Sequence, residues 1–236
     1  MRVRVVGLQH LELEQIIERD FPELELSDGE PEVVISYGGD GTLLYAERVF
    51  PGIPKAAVRN SKICNLCSDL SPNDLLAKLV SGEYEVHEYM KLQGESKGVV
   101  MIAVNDVIVG SPTVNGTLRV NVYVNGQLCG EEVMGDGVIL ATPIGSSGYY
   151  QSITRSSFQT GIGVAFNNTV DARDHILVSK DSTIEIEIVR GPGVFAIDNG
   201  DKYVELDVGD RVLIKRASEK FAMVKFPGES SRVVGE

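Results

Sequence analysis

The stretch VVISYGGDGTLLYA, Val33–Ala46, sets three glycines, Gly38, Gly39 and Gly41, around one carboxylate, Asp40. A β-branched run precedes them and an apolar run follows. That order predicts strand, tight turn, helix. Such a junction suits anions, because glycines let backbone N–H groups face an oxyanion and the helix N-terminus adds partial positive charge. Neither GxGxxG nor GxxxxGK[ST] occurs in the chain, so the two commonest phosphate loops are absent. The odd member is Asp40. A carboxylate beside phosphates repels them unless it holds a metal or serves as a base. A plain Gly-Asp-Gly turn, with Asp40 capping a helix from Thr42, fits the same residues, and the stretch alone leaves both readings open.

Working outward, the first ~85 residues alternate strand and helix signals. Arg2–Leu8 is short and β-branched, and Leu11, Leu13, Ile16 and Ile17 fit one apolar helix face, ended by Asp20 and Pro22. Glu32–Tyr37 is a continuous apolar strand of the kind buried in parallel sheets. A helix is expected over Thr42–Phe50, stopped by Pro51-Gly52, and a strand over Ile53–Asn60. Ser71 is placed as an N-cap with Pro72 at the first helical position and Gly82 as the stop. This is the order of a small parallel-sheet domain. From about residue 86 strand-like runs dominate: Gly98–Val109, Leu118–Val124, Val138–Thr142, Thr183–Val189 and Arg211–Arg216. Asn125-Gly126 predicts a two-residue hairpin turn. The only helix start in this part lies near Ser146–Gln151.

A chain of 236 residues with net charge -12 can bury a sizeable core and is a poor partner for nucleic acid or an anionic membrane. An anionic ligand would need local positive potential from backbone amides, a few basic side chains or a metal ion. The longest apolar runs are too short to span a bilayer. The N-terminus reads as a strand without the apolar region of a signal peptide, so a cytoplasmic location is expected. Cys64 and Cys67 form a CxxC, the spacing of a redox pair or of half a zinc site, but there is no second CxxC and His87 is wrongly spaced for a finger; reduced, partly buried thiols are the expected reading of the cysteines, Cys129 included.

Two further clusters bear on Asp40. Gly135–Tyr150, GDGVILATPIGSSGYY, repeats the pattern of Asp-Gly, apolar strand, and Gly/Ser-rich turn into a helix. Ala103–Gly110, AVNDVIVG, puts Asn105 and Asp106 inside an otherwise apolar strand, where burial is costly unless they bind something.

Taken in order, GGDGT (Gly38–Thr42), Asn105-Asp106 and Asp136–Tyr149 (DG-x₄-TPxGSxxY) resemble the motifs of the NAD kinase family, and the match covers most of the chain. GGDGT is shared with diacylglycerol and sphingosine kinases and phosphofructokinases; the third motif separates NAD kinases from these. The resemblance implies an α/β N-terminal parallel-sheet (Rossmann-like) domain and a C-terminal β-rich, sandwich-like domain. Residues 1–86 would carry GGDGT, completed by about 216–236, and residues 87–215 would bind NAD, with the active site in a cleft. It implies phosphorylation of NAD at the adenosine ribose 2′-hydroxyl to give NADP. The donor would be ATP or polyphosphate with Mg²⁺ or another divalent cation. Asp40 would be the general base. Gly38, Gly39, Gly41 and Thr42 would face phosphate, with Arg59 and Lys62 adding charge. Asn105 and Asp106 would hold the adenosine half, Asp136 would contact substrate, and Ser147, Gly148 and Tyr149 would match the family's adenine and nicotinamide contacts. No residue is assigned to metal. A homodimer or homotetramer is implied.

The sequence departs from the family in three places. Lys62 and Asn65, in NSKICNLC, stand where the family has glycines. After Tyr149 the family's Ser-x-Gly-Gly-Pro run is replaced by YQSITRSSF, with Arg155 where no charge is expected, and the region before GGDGT is short, with room for one helix and about two strands. Apart from these, Asp106 stands where the family more usually has Glu. A non-catalytic nucleotide-binding regulatory paralogue, or a kinase of a lipid or sugar hydroxyl, are the alternative readings.

Overall fold

A computed structural model describes residues 1–228, so the end of the expected 216–236 segment, residues 229–236, lies outside the described residues. Among the described residues the chain divides into two compact units, one of Met1–Tyr89 with residues 220–228, the other of Met90–Glu219.

The first unit is a parallel sheet with helices. Its strands β1 (Arg2–Val6), β2 (Glu25–Leu26), β3 (Val33–Gly38) and β4 (Lys55–Arg59) run in the order β2-β1-β3-β4. All neighbours pair parallel, and Met223 of a strand from the chain's end pairs parallel with Lys55. Val33 to Ser36 are all buried, as a parallel strand covered on both faces requires. One face carries Leu13 and Ile17 of α1 (His10–Asp20) and Leu75, Leu76 and Leu79 of α3 (Pro72–Ser81) against Val3, Val5, Ile35 and Val58. Leu11 departs from the expected apolar face of α1 and is 62% exposed. In α3, Ser71 Oγ accepts the Asp74 amide at 3.2 Å and Gly82 closes the helix at φ 75°, the capping the sequence predicts.

The intervening helix α2 spans Asp40–Val49 and packs on β3 and β4. It starts two residues before the predicted Thr42, so Asp40 sits in the first turn. Lys55 in β4 is fully buried and forms an ion pair with the buried Glu47 of α2. Glu47 also accepts the Gly52 amide at 3.1 Å, and Lys55 donates to the Phe50 carbonyl. A buried charge is tolerated only with partners of this kind.

The second unit is a β-sandwich. It takes in the end of β5 (Glu85–Ser96), then β6 (Val99–Ala103), β7 (Asp106–Gly110), β8 (Leu118–Val124), β9 (Gln127–Gly135) and β10 (Gly137–Ala141). After α4 (Tyr149–Thr154) follow β11 (Ile162–Asn167), β12 (Ile176–Val178), β13 (Ile184–Arg190), β14 (Gly193–Ile197), β15 (Tyr203–Leu206) and β16 (Arg211–Lys225), whose last residues belong to the first unit. One sheet contains β16-β13-β8-β9 and the other β12-β11-β10-β7-β14-β15, antiparallel throughout. Alternate residues of β8 and β13 (Val120, Val122, Ile184, Ile186) meet Val107, Val109, Val138 and Leu140 in a shared core. The β8–β9 hairpin turns at Asn125-Gly126, both at positive φ (51° and 80°), as the dipeptide predicts.

β10 is buried at every residue. Its even members Val138 and Leu140 face the sandwich core, while Ile139 and Ala141 face Tyr150 of α4. The two-residue period thus buries both sides of one strand, which is why the sequence there is an unbroken apolar run. The predicted single strand over Gly98–Val109 is instead two strands, β6 and β7. Asn105 lies between them and Asp106 opens β7, rather than both lying inside a strand.

Candidate active site

In the first unit the centre is the Asp40 carboxylate. Gly39 is the N-cap of α2 and makes no side-chain cap, so Asp40 does not act as the capping residue of the alternative reading. Its side chain faces the loop after β4. The Asn65 amide donates to both carboxylate oxygens at 3.1 and 2.9 Å, and the Leu66 amide to Oδ1 at 2.9 Å. The Asn60 amide meanwhile donates to the Gly38 carbonyl at 3.0 Å. The loop therefore lies against the GGDG turn, and a Cβ on Gly39 would come within 3.2 Å of the Ile63 carbonyl and the Ser61 side chain. Glycine at that position lets two backbones meet.

Lys62 and Asn65, which replace family glycines, have no positive φ. The loop keeps an ordinary backbone there, and Asn65 still reaches Asp40. Lys62 is exposed. Arg59 pairs with Asp69 at 3.3 Å, so part of its charge is already met. A cavity of about 500 Å³ borders the start of α2, lined in part by Gly7, His10, Gly41, Thr42 and Tyr45; that size suits a small-molecule site.

The cysteines differ from expectation. Cys64 and Cys67 are joined as a disulfide, with Cα atoms 5.5 Å apart, and Cys129 is free and exposed rather than partly buried. The two-residue spacing brings the sulfurs together because the loop turns back on itself to present the Asn65 and Leu66 amides.

In the second unit the Asn105-Asp106 pair is held by a residue the sequence reading missed. The Asp198 carboxylate, just after β14, accepts the amides of Val104 (2.9 Å), Asn105 (2.7 Å) and Asp106 (3.1 Å). The Asp198 amide returns a bond to the Asp106 carbonyl at 2.9 Å. From the other side Thr142 bonds the same segment. Its amide donates to the Asn105 carbonyl at 2.9 Å and its hydroxyl to the Val104 carbonyl at 2.7 Å, while the Gly145 amide donates to that hydroxyl at 3.0 Å. A Cβ on Gly145 would collide with the Asn105 backbone. The TPxG sequence is thus a brace for Asn105-Asp106, and only glycine fits its fourth place.

Asp106 is 5% exposed. Burial, and then the negative charge of Asp198, push its carboxyl up to about 7. Asn105 Oδ1 is buried and has no hydrogen-bond partner, the condition of an acceptor awaiting a ligand donor. Asp136 accepts from Asn168 Nδ2 at 3.1 Å, and Tyr149 Oη accepts from Asn167 Nδ2 at 3.0 Å. Burial, with the charges of Asp136 and Asp106, raises the Tyr149 phenol, which ties these three side chains to one electrostatic environment. Ser147 is half-buried, its hydroxyl 3.4 Å from the Ile144 carbonyl, and Gly148 is exposed. Asn105, Asp106, Asp136 and Tyr149 therefore belong to one polar region. Among the described residues no cluster of three or more His, Cys, Asp or Glu side chains is arranged to hold a metal ion, and no helix is long and apolar enough to cross a membrane.

The chain is similar to known proteins. Residues 104–226 match the family model of the ATP-NAD kinase C-terminal domain. The NAD kinase of Agathobacter rectalis is 30% identical over 90% of this chain and 80% of its own length. The fold is shared with a yeast NADH kinase solved with NADH (TM-score 0.84, 16% identity, 95% of this chain and 83% of that one). It is also shared with an Archaeoglobus fulgidus NAD kinase solved with ATP (TM-score 0.78, 21% identity, 96% and 94%). On the motifs, the fold and these matches, the chain belongs to the NAD kinase family.

Proposed function

We propose that this chain transfers a phosphoryl group to the 2′-hydroxyl of the adenosine ribose of NAD, giving NADP, with ATP as donor. The observation that carries the reading is the braced Asn105-Asp106 pair, with the unpartnered Asn105 Oδ1 and the buried Asp106 carboxyl together. Ribose hydroxyls and an adenine amine are donors, and these are acceptors. Asp136 and Tyr149 extend the same polar region toward the rest of the dinucleotide.

Asp40 is the general base. Its carboxylate is fixed by the Asn65 and Leu66 amides, so it is oriented before substrate arrives, and a positioned base contributes roughly 10²–10⁴-fold. The hydroxyl oxygen, relieved of its proton by Asp40, attacks the terminal phosphorus of the donor. Positioning and charge neutralisation supply most of the acceleration in such transfers. The amides around Gly39 and Gly41 at the α2 N-terminus, and Lys62, are the positive groups for the donor phosphates. Among the described residues no carboxylate cluster is arranged to hold an ion; a divalent cation would be carried by the donor's phosphate oxygens, where it would supply charge neutralisation.

The test is incubation of the purified chain with NAD, ATP and Mg²⁺, reading NADP with an NADP-specific dehydrogenase. Omission of any one component should abolish product. Tight NAD binding without NADP would instead support a regulatory nucleotide-binding protein.

A further inference from the structure

The loop that grips Asp40 is closed on itself by sulfur. The two residues between Cys64 and Cys67 are Asn65 and Leu66, the ones whose amides hold the carboxylate. Cys64 Sγ lies 3.0 Å from Asp40 Oδ1, and Cys67 Sγ lies 3.5 Å from the Gly38 carbonyl oxygen. The cysteines also differ in access: Cys64 is 2% exposed and Cys67 is half-buried.

We propose that Cys64–Cys67 is a redox-active disulfide that takes electrons from a dithiol and whose state sets the hydrogen bonding of Asp40. This rests on Asp40 being the base. One thiolate of the dithiol attacks Cys67 Sγ, the sulfur open to solvent, forming a mixed disulfide and expelling Cys64 as thiolate. The second thiol of the reductant then attacks its own mixed-disulfide sulfur and releases Cys67. Two electrons and two protons pass to the protein, leaving two cysteine thiols and a cyclic disulfide of the reductant. The Cys64 sulfur emerges beside a carboxylate, where a second negative charge is repelled, so it is protonated.

The consequence follows from donor counts. A disulfide sulfur has no proton to give, so in the oxidised chain the donors to Oδ1 among the described residues are the Asn65 and Leu66 amides. In the reduced chain the Cys64 S–H faces the same oxygen and competes with the substrate hydroxyl for it. Loss of the cross-link also frees the loop that presents the two amides. Both changes weaken Asp40 as an acceptor of the hydroxyl proton, so the oxidised chain is the faster enzyme.

The experiment uses the full chain, air-oxidised or treated with dithiothreitol. Ellman titration should count one accessible thiol before reduction, Cys129, and three after. Turnover to NADP should fall about tenfold on reduction, the worth of one added hydrogen bond to a charged acceptor. KM for NAD should stay within about threefold, and reoxidation should restore the rate. Cys67→Ala, which keeps the Cys64 thiol, should be slow in both conditions. The amide NMR signals of Asn65 and Leu66 should shift on reduction while those of β8 and β13 stay put. Three thiols before reduction, or equal turnover in the two states, would overturn the proposal with the kinase reading intact. Shifting Asn65 and Leu66 signals in a chain that makes no NADP in either state would sink the kinase reading and support the disulfide's hold on Asp40.

Discussion

Asp198 Oδ1 accepts the Asn105 amide at 2.7 Å, joining the end of β14 to the segment that opens β7. The same carboxylate takes the amides of Val104 and Asp106, so three adjacent peptide units share one anchor. Removing it leaves three donors unsatisfied in a part-buried place, at a cost of about 1–3 kcal/mol each if none finds water. Asp198→Ala should therefore raise KM for NAD by roughly tenfold or more, with a smaller effect on kcat. Asp198→Asn keeps one acceptor oxygen and should recover part of the loss. Equal KM values for wild type and Asp198→Ala would show that the anchor does not position Asn105-Asp106 for substrate.

Asp106 makes a pH-dependent prediction. Its folded-state carboxyl lies at about 7, against ~3.9 when unfolded. The folded chain therefore holds a proton that the unfolded chain has lost between those values, and stability falls as pH rises through that window. Asp106→Asn removes the titration. Measured by urea unfolding, the variant should gain on wild type between pH 4.5 and 8, by on the order of 1–4 kcal/mol at the upper end. A difference that does not change with pH would contradict the burial argument. On the role proposed for Asp106 as an acceptor of a ribose hydroxyl, the variant should also bind NAD more weakly, because its carboxylate becomes an amide.

The buried Lys55–Glu47 pair is a stability element and not part of the chemistry. Glu47→Ala leaves an uncompensated ammonium in the sheet and should cost about 3–5 kcal/mol in chemical denaturation. Lys55→Met with Glu47→Leu should cost much less, since both charges go together. A small loss for Glu47→Ala alone would mean that Lys55 reaches water.

Local sequence rules carried the parallel sheet and its caps. Ser71-Pro72 and Gly82 act through bonds within a few residues, and Asn125-Gly126 needs only its own two φ angles. The strand-turn-helix at Gly38–Thr42 was legible for the same reason, though α2 starts at Asp40 because Gly39 itself can be the N-cap. The polar break at Asn105-Asp106 was visible as a flaw in an apolar run, and it marks where β6 ends and β7 begins.

What anchors that break was not visible. Asp198 sits in FAIDNGD, an ordinary turn-like run, and its role exists only because β14 pairs with β7. The Cys64–Cys67 spacing was plain, but its oxidation depends on a loop folded around Asp40, a contact made across 24 residues of chain. The same fold explains why two missing glycines do no harm to the backbone, since neither position needs a left-handed φ.

The most direct measurement is rapid-quench single turnover of wild type and Asp40→Asn with NAD, ATP and Mg²⁺, paired with calorimetric NAD binding. The account predicts NADP phosphorylated on the adenosine ribose 2′-oxygen for wild type. For Asp40→Asn it predicts a rate lower by about 10²–10⁴-fold, with the NAD Kd within about threefold. NADP formed at an undiminished rate by Asp40→Asn, or no NADP from wild type that binds NAD, would contradict it.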